Sequence, residues 1–314
     1  MSLDLLPDAF LTRLQRIVPE SQWYSTLEGF QRPVPTCFRV NRLQATVDAV
    51  LSELSDQGIR CEPVAWREDS FVIDDTQRRL LTSSAAFNEG RIYIQNLSSI
   101  FAAQVLGVQP GEEVLDLAAA PGGKTLVLAA AMENRGRIAA VEAVKSRFFK
   151  LKNNIELHGA TLVDCYLKDG RQVGYKVPER FDRVLLDAPC SSESRFYTKD
   201  PDSYRYWSEK KVKEMQRKQK KLLRSALMAL KPGGTLVYST CSYSPEENEV
   251  VVDKALKKMD GRLQVLPVSL PFDNFQSGLT AWAKKHFDPQ LQNSVRILPS
   301  ETMEGFFLCL LKKL

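Results

Sequence analysis

Apolar residues from about position 112 onward come in short runs that alternate with segments of helical spacing. The runs predict strands at 114–118, 138–143, 161–166, 181–188 and 235–242, and the intervening spacing predicts helices at 124–132, 145–158 and 208–230. Strands that alternate with helices in this way are typical of a parallel sheet built from βαβ units. The pattern therefore predicts an α/β fold.

The first part of the chain lacks this alternation. It holds more acidic than basic residues, and no internal repeat or low-complexity tract is visible. We therefore predict a small N-terminal α/β domain over residues 1–88 and a larger domain over residues 89–314.

Composition narrows the class of protein. The 314 residues are 44% hydrophobic, which suits a folded core, and no run approaches the length of a membrane span. Residues 1–10 carry Asp4 and Asp8 where a secretion signal has basic residues. Six cysteines without a C-x-x-C pair, and only two histidines, favour reduced thiols over a zinc or disulfide site. The prediction is a cytoplasmic protein with no metal and no membrane partner.

Positive charge is concentrated in one predicted helix. The net charge of the chain is +5, whereas residues 201–231 alone carry +7. The basic side chains lie off the apolar stripe of that helix, so they suit either a solvated helix face or a nucleic-acid surface.

The first predicted strand runs into small residues and then a helix. The residues of this turn are Ala118, Ala119, Ala120, Pro121, Gly122, Gly123 and Lys124. Such a loop allows a ligand to approach the backbone at the carboxyl edge of a sheet. A Walker A phosphate loop is the alternative, but Ala118 stands where its first glycine is required.

Two acids support a nucleoside cofactor instead. Glu142 ends the second predicted strand, and Asp169 follows the third. In register with the loop, they suit the ribose hydroxyls and the adenine amine of S-adenosylmethionine.

Two cysteines follow the next strands. Cys190 lies in the sequence Asp187-Ala-Pro-Cys190-Ser, and Cys241 lies in Ser239-Thr-Cys241-Ser. The carboxyl ends of neighbouring strands meet at one edge, so both thiols are expected to reach one substrate. Thiolate addition at carbon 6 of a pyrimidine makes carbon 5 nucleophilic, and a second acid or base must then remove the carbon-5 proton. Asp187 is suited to hydrogen-bond N3 and the amine of cytosine. The residues alone leave the two thiols interchangeable.

These motifs resemble the Sun/nucleolar-protein family of RNA cytosine-C5 methyltransferases over roughly residues 36–314. The resemblance also rests on the segments 38–41, 116–125, 231–234 and 245–248. It implies a class I methyltransferase domain, Rossmann-like, with a mostly parallel seven-stranded sheet and a small N-terminal RNA-recognition domain.

The resemblance also assigns roles. It implies that Ala118–Lys124, Glu142, Asp169 and Asp187 surround S-adenosylmethionine, with Arg147 as a further candidate. It implies that Cys241 is the nucleophile, that Cys190 assists product release, and that Lys124 approaches the target base. The implied product is 5-methylcytosine in rRNA or tRNA. Nothing in the sequence demands more than a monomer, so we expect a monomer.

Some positions depart from the family pattern. Ala118 stands where many members have cysteine, Asn96 where Asp is frequent, and Ser192 where glycine commonly follows P-C-S. No NusB-like or PUA-like domain is evident, so the N-terminal domain and the basic helix are expected to recognise the RNA. The alternatives are a catalytically silent RNA-binding relative and a DNA cytosine methyltransferase.

Overall fold

The computed structural model describes residues 5–314, so Asp4 and the start of the predicted N-terminal domain lie outside the described residues. The α-helices of the described part are, in chain order, α1 (Asp8–Gln15), α2 (Trp23–Gly29), α3 (Val47–Asp56), α4 (Arg78–Ser83), α5 (Ala85–Asn88), α6 (Leu97–Gln104), α7 (Gly123–Ala131), α8 (Lys145–Leu157), α9 (Val173–Lys176), α10 (Glu209–Ala229) and α11 (Glu249–Met259).

The strands of the same part are, in chain order, β1 (Thr36–Val40), β2 (Glu62–Val64), β3 (Arg67–Ile73), β4 (Ile92–Ile94), β5 (Glu113–Asp116), β6 (Arg137–Glu142), β7 (Val163–Leu167), β8 (Phe181–Asp187), β9 (Leu230–Thr240), β10 (Leu263–Leu266), β11 (Phe275–Ser277), β12 (Ala281–Trp282), β13 (Lys285–His286), β14 (Val295–Ile297) and β15 (Phe306–Lys313).

The chain divides into two compact units. We call residues 35–170 together with 181–185 the central unit, and residues 5–34, 171–180 and 186–314 the terminal unit. The boundaries of these units do not coincide with the domain boundary predicted after residue 88. That domain boundary stays a prediction. Strand β8 contributes its first five residues to the central unit and its last two to the terminal unit.

The central unit contains a small antiparallel sheet with the strand order β2-β3-β1-β4. Its core includes Phe38, Phe71, Leu54 and Ile92, all at most 4% exposed. A strand with one solvent-exposed face alternates buried and exposed residues. Strand β1 lacks this alternation, because all five of its residues are buried.

The central unit also holds the parallel strands, in the order β8-β5-β6-β7. Asp116 at the end of β5 pairs with Ala140 of β6, and Glu142 at the end of β6 pairs with Leu167 of β7. The strand ends therefore lie side by side at the carboxyl edge, which is where α/β sheets bind ligands.

The terminal unit contains the antiparallel strands, in the order β11-β14-β15-β9, with β10 paired to β15. These five strands and the four parallel strands of the preceding paragraph make nine within residues 5–314. The predicted α/β class with a mostly parallel sheet is confirmed, and the structure adds two strands to the seven expected. The additional pairing is antiparallel and lies near the C-terminus, where we predicted no strands.

Helix α10 begins at a capped first turn and buries a continuous apolar stripe. The Ser208 side chain accepts a hydrogen bond from Lys211 N at 3.1 Å, which caps the first turn. Val212, Met215 and Leu223 are buried along the stripe. This is the longest helix in the described part, and no helix there is both long and apolar enough to cross a membrane.

Candidate active site

The turn between β5 and α7 in the central unit is held by hydrogen bonds from side chains of α8. Gly122 has a φ of +112°, a left-handed conformation that favours glycine. Two side chains of α8 donate to carbonyl oxygens of this turn: Arg147 Nη2 to Ala120 O at 2.6 Å, and Asn154 Nδ2 to Pro121 O at 2.8 Å. The turn therefore has a defined backbone shape immediately before a helix N-terminus.

The two predicted cofactor acids follow adjacent strands. Glu142 is 4% exposed; its Oε1 accepts from Val144 N at 2.8 Å, and its Oε2 lies 3.7 Å from Arg147 Nη1. Its carbonyl oxygen accepts from Lys168 N at 3.0 Å, which places Asp169 one residue beyond that contact. The central unit thus brings Glu142 and Arg147 to the predicted turn, with Asp169 at the end of the neighbouring strand.

Arg147, the further candidate for cofactor binding, lies beside the predicted turn. Its guanidinium contacts Ala120 O and the Glu142 carboxylate, so it connects the turn to the second strand end. Lys124 lies in the first turn of α7 and is half-buried. The structure therefore makes Arg147 a residue that shapes the turn.

In the terminal unit the two predicted cysteines are in contact. Cys190 follows β8, Cys241 follows β9, and their sulfur atoms lie 3.2 Å apart within hydrogen-bond distance. Ala188 N donates to Ser239 O at 2.8 Å, which aligns the two strand ends, and Ser239 Oγ donates to Asp187 Oδ1 at 2.9 Å. Asp187 and both thiols thus share one edge of the terminal unit.

The two thiols differ in their electrostatic surroundings. The hydrogen bond with Cys241, together with burial, raises the pKa of Cys190 well above its ordinary value. The same hydrogen bond, supported by the Arg195 guanidinium, lowers the pKa of Cys241. One proton is therefore shared unequally, with Cys190 as the thiol that donates and Cys241 as the thiolate that accepts.

The other titrating cysteines show what burial does without such partners. Burial raises the pKa of Cys61 and of Cys165 to about 11, and it raises the pKa of Cys309 further. Of the thiols named here, Cys241 is the one with a lowered pKa, and a lowered pKa increases the thiolate fraction near neutral pH.

Two buried carboxyl groups, Glu193 and Glu247, organise the loops that carry the thiols. Glu193 accepts from Tyr243 N and Ser244 N at 2.8 Å each, just after Cys241. Glu247 accepts from Ser191 N at 3.0 Å, just after Cys190. Neither residue was predicted from the sequence to have a role. The available signal was that each lies a few residues after a predicted cysteine, Glu193 after Cys190 and Glu247 after Cys241.

The basic helix lines a cleft of about 470 Å³ with α11 in the terminal unit. Its floor is apolar, and its basic lining residues are Lys220, Arg224, Lys254, Lys258, Arg262 and Lys313. Burial, and then the charges of Lys254 and Lys285, lower the pKa of Lys220. Cations crowded in this way are stabilised by an external anion. We call this feature the α10–α11 cleft.

The described residues contain no group of three or more His, Cys, Asp and Glu side chains that could hold a metal ion.

Comparison with known families gives two matches. Residues 103–312 match the model described as 16S rRNA methyltransferase RsmB/F, and residues 6–97 match the model described as the N-terminal domain of 16S rRNA methyltransferase RsmF. Curated relatives include the ribosomal RNA small subunit methyltransferase F of Vibrio vulnificus strain YJ016, which is 38% identical over 313 residues, covering 98% of this chain and 64% of the relative. The corresponding protein of Escherichia coli strain SMS-3-5 is 38% identical, with 63% of its length covered. The chain thus spans slightly less than two thirds of these relatives.

Solved structures agree on the fold. A methyltransferase homolog protein from Pyrococcus horikoshii is 31% identical with a TM-score of 0.81, covering 98% of this chain and 100% of that one. NSun6 from the same organism is 21% identical with a TM-score of 0.82, covering 99% of both chains, and shows likeness of fold alone.

Proposed function

Because the chain belongs to the 16S rRNA methyltransferase RsmB/F family, we propose that it methylates carbon 5 of a cytosine in the RNA of the small ribosomal subunit. The observation that carries this proposal is the 3.2 Å contact between two thiols of opposite pKa shift. A structural pair of buried cysteines has no need of one thiolate, whereas covalent attack on a pyrimidine does. We further propose that the protein acts in the cytoplasm as a monomer.

We assign cofactor binding to Ala118–Lys124, Glu142, Asp169 and Asp187. The turn has the left-handed glycine that a close backbone approach requires, and a buried carboxylate stands at the next strand end. These donors and acceptors fit the ribose and adenine of S-adenosylmethionine. Arg147 supports the site by fixing the Ala120 carbonyl. When bound, S-adenosylmethionine supplies the methyl group.

In the first half of the reaction, Cys241 acts as the nucleophile. Its thiolate adds to carbon 6 of the cytosine, a carbon–sulfur bond forms, and carbon 5 becomes electron-rich. Asp187, held by Ser239 Oγ, hydrogen-bonds N3 and the amine, where one proton is needed between carboxylate and ring. Lys124, at the start of α7, keeps the role at the target base that the family resemblance implies. Cys190 stays protonated during this half because Cys241 is negative.

In the second half, Cys190 becomes the base and Cys241 becomes the leaving group. Once Cys241 is bound to carbon it is no longer negative, so the main cause of the raised pKa of Cys190 disappears. Cys190 then loses its proton to solvent and accepts the proton from carbon 5. The electron pair of that C–H bond reforms the ring double bond and expels Cys241 as thiolate.

We propose that phosphates of the RNA bind along α10 and in the α10–α11 cleft. The predicted basic residues Lys210, Lys213, Arg217, Lys218 and Lys221 are exposed, and Lys211 and Lys220 are half-buried. Neutralising phosphates releases condensed counterions, which makes crowded lysines favourable for RNA binding.

The test is a methylation assay on small ribosomal subunits from a strain that lacks this gene, and in parallel on DNA from that strain, with methyl-labelled S-adenosylmethionine. The product is digested to nucleosides and separated, with Cys241→Ala as the negative control. We expect label only in 5-methylcytidine from RNA. Label in DNA would support a DNA methyltransferase, and RNA binding without label would support a silent relative; either would refute the proposal.

Cofactor binding is tested separately by calorimetric titration. We expect binding of S-adenosylmethionine, and weaker binding after Glu142→Ala. Binding of ATP with magnesium, but not of S-adenosylmethionine, would instead support a phosphate-binding loop.

A further inference from the structure

The Ser242 hydroxyl lies between two buried carboxyl groups. Its Oγ is 2.9 Å from Glu193 Oε2 and 3.0 Å from Glu247 Oε1. Glu193 is 1% exposed and Glu247 is 0% exposed. A serine hydroxyl has one proton and donates to one of these oxygens only. The second contact is favourable only if a carboxyl group carries a proton and donates it.

The surrounding donors decide which carboxyl group is protonated. Glu193 Oε1 accepts from Trp207 Nε1 at 2.8 Å, and Glu193 Oε2 accepts from Tyr243 N and Ser244 N. Glu193 Oε1 also accepts from Ser244 Oγ at 2.6 Å, so both oxygens of Glu193 act as acceptors and each faces at least one N–H group, which cannot accept a proton.

Glu247 has one oxygen free of N–H donors. Its Oε2 accepts from Ser191 N at 3.0 Å and from Gln219 Nε2 at 2.8 Å. Within residues 5–314, its Oε1 hydrogen-bonds with the hydroxyls of Ser191 and Ser242 alone, and either hydroxyl can accept. Of the four oxygens of the two groups, Glu247 Oε1 is the one that can carry a proton without facing a nitrogen donor.

We propose that Glu193 and Glu247 are a positioning pair that shares a single proton, held on Glu247 Oε1, and that this pair holds the Cys190 and Cys241 loops together. The proposal extends the proposed function, since it explains how the two thiols are kept in contact.

The contacts of the pair span both loops. Glu193 fastens the backbone after Cys241, and Glu247 fastens the backbone after Cys190. Gln219 Nε2 also donates to Pro189 O at 3.0 Å, on the Cys190 side. If both acids were ionised, two buried negative charges would face one hydroxyl, and their repulsion would separate the loops.

Burial, and then the Glu193 charge, raise the pKa of Glu247 to about 7. The titratable and charged groups around the pair, on the elements that pack against it, are Cys190, Cys241, Arg195, Tyr238, Tyr243 and the ion pair of Glu249 with Arg296. The tyrosines and Cys190 are neutral below pH 8, because their pKa values are raised. In this cluster, the protons of Glu247 and Cys241 are therefore the ones that are lost near neutral pH.

The test compares Glu247→Gln with Glu193→Gln in the full chain. A glutamine resembles a protonated carboxyl group, so E247Q should keep methyl transfer within about threefold of the wild type. In E193Q the amide brings a donor against N–H groups, and we expect at least a tenfold loss together with a lower thermal midpoint. Glu156→Gln, an exposed acid on α8, controls for loss of a carboxylate.

Infrared spectroscopy at pH 6 supplies a readout that does not depend on activity. The wild type should show the band of a protonated carboxyl group, and this band should be absent from E247Q and present in E156Q. In the pH profile of methyl transfer, the alkaline fall of the wild type should be weakened in E247Q. A wild type without the band, or an E247Q variant as impaired as E193Q, would overturn the proposal. Failure of the proposed function would instead appear as absent methyl transfer with the band intact.

Discussion

The unequal pKa values of the two thiols predict selective alkylation at Cys241. Its pKa is lowered to about 7, first by the hydrogen bond with Cys190. The pKa values of Cys61 and Cys165, which are similarly half-buried, are raised to about 11. At pH 7 about half of Cys241 is thiolate, against about one part in 10⁴ for the other two.

The rate of alkylation depends on the nucleophilicity of the thiolate as well as on its fraction, and a thiolate of lower pKa is intrinsically less nucleophilic. With a Brønsted coefficient of about 0.4–0.5, four pKa units cost Cys241 roughly a factor of 50. Cys241 should therefore react roughly 10² times faster than Cys61 or Cys165 with iodoacetamide at pH 7. Peptide mass spectrometry after timed quenching measures all three rates in one sample.

Replacement of Cys190 tests the cause of this selectivity. Cys190→Ala removes the hydrogen bond to Cys241, so the pKa of Cys241 should rise and its alkylation at pH 7 should slow. Cys190→Ser retains a hydroxyl donor and should give an intermediate rate. Equal rates at all three cysteines, or faster alkylation of Cys190 than of Cys241, would refute the assignment of the thiolate.

Three further predictions concern the reaction, the RNA surface and the core. With RNA and S-adenosylmethionine, Cys190→Ala should accumulate a methylated enzyme–RNA adduct on denaturing gels and Cys241→Ala should give none, whereas the reverse pattern would exchange their roles. Replacing Lys220, Lys254 and Lys258 by Gln should reduce the log–log salt slope of RNA binding by about 2 if all three contact phosphates of a single strand, and an unchanged slope would assign these charges to solubility. Arg296→Met leaves the buried Glu249 without its partner, since Glu249 Oε2 lies 2.5 Å from Arg296 Nη2. This substitution should lower the free energy of unfolding, measured by denaturant titration, by about 3–5 kcal/mol. A loss below about 1 kcal/mol would contradict the prediction.

The parallel part of the fold could be predicted because its signals are local. The helix predicted over residues 208–230 spans Glu209–Ala229, and the strand predicted over 181–188 spans Phe181–Asp187. Apolar periodicity and helix caps act within a few residues, so a single sequence records them. The meeting of Cys190 and Cys241 was also predictable, because the ends of adjacent strands share one edge.

Long-range packing could not be predicted in the same way. Residues 5–34 belong to the terminal unit, where Phe10 packs against Phe196 with ring centroids 4.8 Å apart and against Trp207 at 5.6 Å. These contacts join positions nearly 200 residues apart, and periodicity carries no information about such pairs. The same reason explains why the roles of Glu193 and Glu247 were missed: their partners lie on other loops.

The neutral state of Glu247 also bears on how the second half of the reaction proceeds. A negative Glu247 and a negative Cys241 both raise the pKa of Cys190. Formation of the adduct removes the charge of Cys241, and the shared carboxyl proton removes the charge of Glu247, so Cys190 loses two of the influences that hold its proton. If Glu247 lost its proton above neutral pH, its charge would face that of Glu193 across Ser242, and the loops that hold Cys190 and Cys241 in contact would separate. The alkaline limb of the pH profile should then reflect loss of this contact. In a Glu247→Gln enzyme the contact no longer depends on a proton at position 247, so adduct formation and adduct release should both lose that alkaline fall.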